Sequence, residues 1–240
     1  MSRSSMVGIG FIAALLVLGL GVQLSAAAAE PTERATNLES SVDRLVLKHH
    51  FGGIPYEEAK ALGSRAIPHL AGILSDLEKK EFWVNAIVTL GFIEDPAGLA
   101  ILTSFLDSAE GEVDVSTLRA LLSVHYAIGC IASTGDEDAY DQLSSWIDRP
   151  QAKAISWSFK GRDVRSLLSN RALIGLAVSG RPEATSKLEQ LRSQRLSEEA
   201  GLATAEPGYR PELLAEALEL MDRIQARGRK GAFNPNTHTR

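Results

Sequence analysis

Between Asn85 and Leu106 the chain reads N-A-I-V-T-L-G-F-I-E-D-P-A-G-L-A-I-L-T-S-F-L, two apolar runs parted by a polar stop at Glu94-Asp95-Pro96. Ala86, Ile87, Leu90 and Ile93 recur at i, i+1, i+4 and i+7, the spacing of one helix face. Asp95 is placed to cap a second helix, with Pro96 at its first position, where the missing N–H costs nothing. The same unit returns downstream. Ala86-Ile87-x-x-Leu90-Gly91 is matched by Ala127-Ile128-x-x-Ile131-Ala132, by Ala172-Leu173-x-x-Leu176-Ala177 and by Ala217-Leu218-x-x-Met221-Asp222, at steps of 41, 45 and 45 residues. After the first three copies comes a stop and restart: Glu94-Asp95-Pro96-Ala97, Gly135-Asp136-Glu137-Asp138-Ala139 and Gly180-Arg181-Pro182-Glu183-Ala184. Periods of this size signal stacked helical pairs, each too small to bury its apolar face alone.

The pattern predicts five helix pairs: 38–50 with 55–62, 64–76 with 80–92, 96–107 with 114–132, 136–147 with 163–179, and 182–195 with 210–227. Pro68 lies deep enough in its helix to be expected to bend it. The second helices around Ala86, Ala127 and Ala172 are apolar on nearly every side, as helices buried between neighbours are. Gly91, Gly129, Gly175 and Ala177 would let such helices approach closely. Leu90, Ile131, Leu176 and Met221 fall at one equivalent core position. At these residues, over roughly Tyr56 to Arg227, the chain resembles the HEAT-repeat family of α-solenoids. The resemblance implies an all-α fold, a right-handed α-solenoid of about five stacked helix pairs. The longer loops inside several pairs depart from the family's common repeat length. A fold of this kind offers an extended, side-chain-lined surface and specifies function hardly at all.

The ends of the chain read differently. Met1 to Ala29 carries Arg3 as its only charge, an apolar stretch from Val7 to Val22 and a run of small residues from Leu24 to Ala29. That is the pattern of a secretory signal cut after Ala28 or Ala29, which predicts a periplasmic or secreted protein. The competing reading keeps 7–29 as an uncleaved membrane anchor, the sole membrane contact expected. Residues 30–37 read as a tether, 38–227 as the helical domain, and 228–240 as a disordered basic tail. A net charge of −5 argues against a dedicated nucleic-acid binder. Cys130 is the only cysteine, so no intramolecular disulfide exists, and its apolar context marks it as a core residue.

Candidate chemistry is sparse. Some HEAT-repeat hydroxylases hold iron with His-Glu pairs, but none of His49, His50, His69, His125 and His238 is followed by Glu. Adjacent helical positions such as His49 and His50 point about 100° apart and make poor joint ligands. There is no G-x-S-x-G, no Ser-x-x-Lys, no G-x-x-x-x-G-K and no G-x-G-x-x-G. Glu57-Glu58 and Asp136-Glu137-Asp138 sit where helices begin, where carboxylates favour the helix dipole. Trp83 and Trp146 read as core. No catalytic residue, metal or cofactor is expected.

Two sets of residues are candidates for contact with a partner. Asn85, Tyr126, Arg171 and Glu216 each precede a repeat alanine, so stacked pairs would align them as a column lining a concave face. The second set lies in the long connection 148–165, where Lys153, Lys160 and Arg162 join Arg149 and Arg165 against only Asp148 and Asp163. In an extended segment Ile155, Trp157 and Phe159 would point one way, either to a partner or over an exposed edge of the stack. The expected function is therefore an exported scaffold that binds a protein partner without catalysis. The alternative is a lyase-like or enzyme-accessory protein cradling a small ligand. A cradle requires one deep apolar pocket, a scaffold a broad shallow face.

Overall fold

The computed structural model describes residues 31–199 and 210–233, and within them the fold is all-α. The expected signal segment, its cleavage site, His238 and the last residues of the basic tail lie outside the described residues. Ten α-helices run in order: α1 (Pro31–Val46), α2 (Tyr56–Leu62), α3 (Ile67–Ser75), α4 (Trp83–Ile93), α5 (Ala97–Asp107), α6 (Val115–Ala132), α7 (Glu137–Asp148), α8 (Arg165–Ser179), α9 (Pro182–Glu199) and α10 (Pro211–Phe233). Each of the five expected pairs is present. Helix α1 begins at Pro31, so the stretch read as a tether is helical, and it stops at Val46 short of His50. A 3-10 turn at Ser64–Ala66 precedes α3, which places Pro68 in the first turn of the α-helix, where no N–H is needed, instead of in its interior.

Packing follows the order of the repeats. The second helices lie against one another in sequence, α2 on α4, α4 on α6, α6 on α8 and α8 on α10, while each first helix covers its own partner. Leu90, Ile131, Leu176 and Met221 are all buried, in one core that extends from Val42 to Met221. The small residues explain how these helices come close. A Cβ built on Gly91 would lie 2.6 Å from the Ala127 Cα, and one on Gly129 only 2.2 Å from the Gly175 carbonyl oxygen. Helix α6 is long and apolar enough to cross a membrane by length and composition, but its buried residues, Ala120, Leu121 and Val124 to Ala132 apart from Tyr126, face the interior of the fold.

A residue with positive φ stands at or shortly after the end of every second helix. Gly63, Gly135, Gly180 and Gly228 follow α2, α6, α8 and the main body of α10, with φ of 65°, 94°, 62° and 67°. Glycine tolerates this region because it lacks a Cβ. The exception is Glu94 after α4, a residue with a side chain held at φ 58°. Restarts are capped by aspartates: the Ala97, Thr117 and Ala139 amides donate to Asp95, Asp114 and Asp136, each at 2.8 Å. Neighbouring pairs are tied through side chains roughly one repeat apart, as in Thr103 with Gln142, Asp148 with Lys187 and Thr185 with Gln225. The stretch 228–233, expected to be without structure, turns at Gly228 and continues as helix.

Candidate functional site

Of the four column residues, the fold brings two together. Tyr126 and Arg171 line one open depression of about 370 Å³ with Val84, Arg119, Leu122, Ser123 and Ile174, contributed by α4, α6 and α8. Asn85 does not join them. Its side-chain amide donates to the Val46 and Lys48 carbonyls, both at 2.9 Å, and so secures the end of α1. Glu216 is exposed on α10, away from this depression. Arg119 escaped the sequence reading, yet it stands seven residues before Tyr126, two turns along the same helix face, and that spacing was the available signal. Neither Arg119 nor Arg171 forms an ion pair among the described residues, and both are exposed. Burial raises the Tyr126 phenol above the usual tyrosine range, so it stays neutral. Its ring meets Phe92 edge-on at 6.1 Å, and Phe92 meets Tyr56 at 5.1 Å, an aromatic row across α6, α4 and α2.

The 148–165 connection divides into two parts. Trp157–Ser158 is a short strand, β2, paired in parallel with β1 (Gly111–Glu112) from the preceding helix pair. Trp157 is 5% exposed, with Ile155 and Phe159 half-buried beside it, so the apolar side chains cover the stack. At the tip, Phe159 and Arg162 exchange backbone hydrogen bonds around Lys160 and Gly161, whose φ values of 51° and 65° are those of a tight hairpin turn. Glu112 accepts from the backbone amides of Lys160 and Gly161 and from the Ser158 hydroxyl, and these bonds hold its carboxyl below the usual range. Lys160 and Arg162 remain exposed without an ion pair among the described residues, leaving the basic groups outside and the aromatic ones inside.

Beneath this connection is a cleft of about 580 Å³ bordered by Thr103, Asp107, Gln142, Trp146, Lys153, Trp157 and Arg165. The Lys153 ammonium sits 5.4 Å from the centre of the Trp146 ring. Burial, helped by Arg149, holds it below the usual lysine range. Arg165 pairs with Asp163 at 3.0 Å and donates to the Lys153 carbonyl. A second cleft of about 610 Å³, more apolar, runs between α3 and α5 past Leu74, Trp83, Ile101 and Phe105. All three of these spaces are open to solvent.

The titratable groups show no catalytic constellation among the described residues. His50 is bonded to the Leu45 carbonyl at 2.7 Å, His69 to Asp43 at 2.8 Å, and exposed His49 stands 3.8 Å from Glu81. His125 is fully buried against Trp146, with neither ring nitrogen hydrogen-bonded, and burial pushes its pKa down to about 3. Cys130 is buried and free, and burial pushes its thiol up to about 12, far from a reactive thiolate. No group of three or more metal-ligating side chains occurs among the described residues. Trp83 and Trp146 are core, and the Trp83 indole donates to the Ile73 carbonyl at 3.0 Å. Compared with family models, curated proteins and solved structures, the chain matches none.

Proposed function

We propose that this chain is an exported, HEAT-like right-handed α-solenoid whose second-helix face binds a protein partner with an acidic surface, without catalysis of its own. The observation that carries this reading is the convergence of Arg119, Arg171 and Tyr126 on one shallow depression with an apolar bed of Val84, Leu122 and Ile174. Arginine and tyrosine over apolar contacts are the residue types most enriched where binding energy concentrates. Two exposed arginines without ion pairs among the described residues, on a chain of net charge −5, mark a local site for an opposite charge. The order of helix packing and the side-chain ties between successive pairs support the solenoid, and the open clefts fit a broad contact better than an enclosed ligand site.

Affinity capture with full-length protein and an Arg119→Glu/Arg171→Glu variant tests the reading. The variant should keep the parental melt and lose the partner, and capture by the parent should weaken with added salt. Undiminished, salt-insensitive capture would remove this face as the contact. A second reading rests on the cleft beside Lys153, where two tryptophans, Lys153 and Arg165 surround a space large enough for a small anion. It requires a small carboxylate or phosphate compound that raises the parental melt and fails to do so with Lys153→Met.

A further inference from the structure

Among the described residues, the end of α10 carries a side-chain tie of unusually long reach along the chain. After the turn at Gly228, Arg229 reaches back past the neighbouring α8, and its Nη1 lies 2.5 Å from the Glu94 carboxylate at the end of α4. The same guanidinium nitrogen donates to the Ser133 hydroxyl and, at 3.4 Å, to the Cys130 carbonyl, both at the end of α6. Other ties join neighbouring pairs, whereas these span 96 to 135 residues. Both partners are largely withdrawn from solvent, with 16% of the Arg229 and 10% of the Glu94 side chain exposed.

Glu94 itself is the second observation. Its backbone is left-handed, at φ 58° and ψ 33°, a conformation that the end of α8 meets with a glycine, Gly180. A glutamate there is strained and persists where its surroundings hold it. What holds it here is a cage of donors: the Tyr56 hydroxyl at 2.8 Å, the Lys60 ammonium at 2.5 Å and Arg229. The cage adjoins the aromatic row of Tyr56, Phe92 and Tyr126, and so the surface bearing Arg119 and Arg171. One carboxylate, one hydroxyl and, more distantly, one carbonyl gather about a single guanidinium nitrogen beside aromatic rings, an acceptor set suited to an arginine.

We propose that this corner is a recognition site for an arginine-bearing peptide segment of a protein partner, and that the chain's own 228–233 segment occupies it in cis. The proposal deepens the reading of the second-helix face as a docking surface. Its test needs no partner, so the two fail separately. Occupation by a tethered segment makes a competitor work against an effective concentration in the millimolar range. A partner that brings a better segment displaces the tail, and a tail that stays bound closes the site.

The probe is a fluorescent synthetic peptide with the sequence of residues 226–240, measured by anisotropy against full-length protein. Full-length Arg229→Ala should bind it at least tenfold more tightly than the parent, whose site is filled. Binding should be lost when the peptide carries alanine at the Arg229 position. It should also be lost when Glu94→Gly is added to the protein, a change that removes the carboxylate while restoring the residue type this turn prefers. Equal binding to parent and Arg229→Ala overturns the proposal. So does no binding to Arg229→Ala up to about 1 mM peptide, since cis occupancy would then be only a fixed staple. Binding indifferent to Glu94→Gly or to the peptide's arginine overturns it as well.

Discussion

Glycine at the crossing of α6 and α8 should be irreplaceable, and the cost can be worked out. An added methyl on Gly129 would meet the Gly175 carbonyl oxygen at 2.2 Å, its carbonyl carbon at 2.8 Å and its Cα at 2.9 Å. These are backbone atoms of a buried helix, so no side chain can swing aside and the two helices must part. Overpacking of this kind costs about 1–3 kcal/mol, with the upper half expected against backbone. Against it stands the helix propensity that alanine gains over glycine, about 0.8–1.0 kcal/mol. The clash wins, and Gly129→Ala should lose about 1–2 kcal/mol, a fall of roughly 2–8 °C in Tm for a domain of this size. Gly72, exposed in the interior of α3, supplies the control, because a Cβ there has nothing within 4 Å. Gly72→Ala gains propensity without a clash and should raise Tm by about 1–4 °C. Thermal melts followed by far-UV circular dichroism measure both. A Gly129→Ala protein melting at or above the parent would show that α6 and α8 do not cross at this distance.

Other expectations follow from burial and capping. His125 titrates near 3 in the folded chain and about 6.5 when unfolded, so below about pH 6.5 the unfolded chain takes a proton that the folded chain refuses. Stability should fall as pH drops, by about 2–3 kcal/mol between neutrality and about pH 4.5. His125→Leu should flatten that slope in urea titrations, and an unchanged slope would assign it to other groups. Leu176→Ala, at a fully buried position, should cost about 2–5 kcal/mol in the same assay. Asp114 caps α6 through the Thr117 amide and also holds Lys80 at 2.5 Å. Asp114→Ala should therefore cost about 0.5–2 kcal/mol, and Asp114→Asn, which keeps a cap, distinctly less. Equal losses in the two would mean that the ion pair, not the cap, is the stabilising contact.

What could be read from the chain was set by how far each feature reaches along it. Pair boundaries were legible because apolar spacing and stop residues are local, and Gly91, Gly129 and Gly175 could be named as close contacts from the repeat alone. The four residues before the repeat alanines did not stay together. Tyr126 and Arg171 came together, but Asn85 turned to the Val46 and Lys48 carbonyls, since a side-chain amide near the open end of a helix finds orphan acceptors there. In the 148–165 connection the alternation of Ile155, Trp157 and Phe159 was visible, but pairing with Gly111–Glu112 was not, because two-residue strands carry no pattern. Arg229 lies in a stretch whose sequence carries no periodicity, and nothing near it in sequence points to Glu94.

The spacing of the side-chain ties also sets an order of events for folding. Ser64 with Asp95, Thr103 with Gln142 and Arg181 with Glu137 close loops of 31, 39 and 44 residues, so each helix pair can dock as soon as its neighbour has formed. A chain held by links of one short reach has low contact order and folds by successive local steps. The Glu94–Arg229 link closes 135 residues, and on loop length alone it costs about 1 kcal/mol more than a link of repeat length. It should therefore form last and open first. Synthesised from the N-terminus, the chain would hold the Glu94 carboxylate through Tyr56 and Lys60 alone until the end of α10 brought Arg229 to complete the cage.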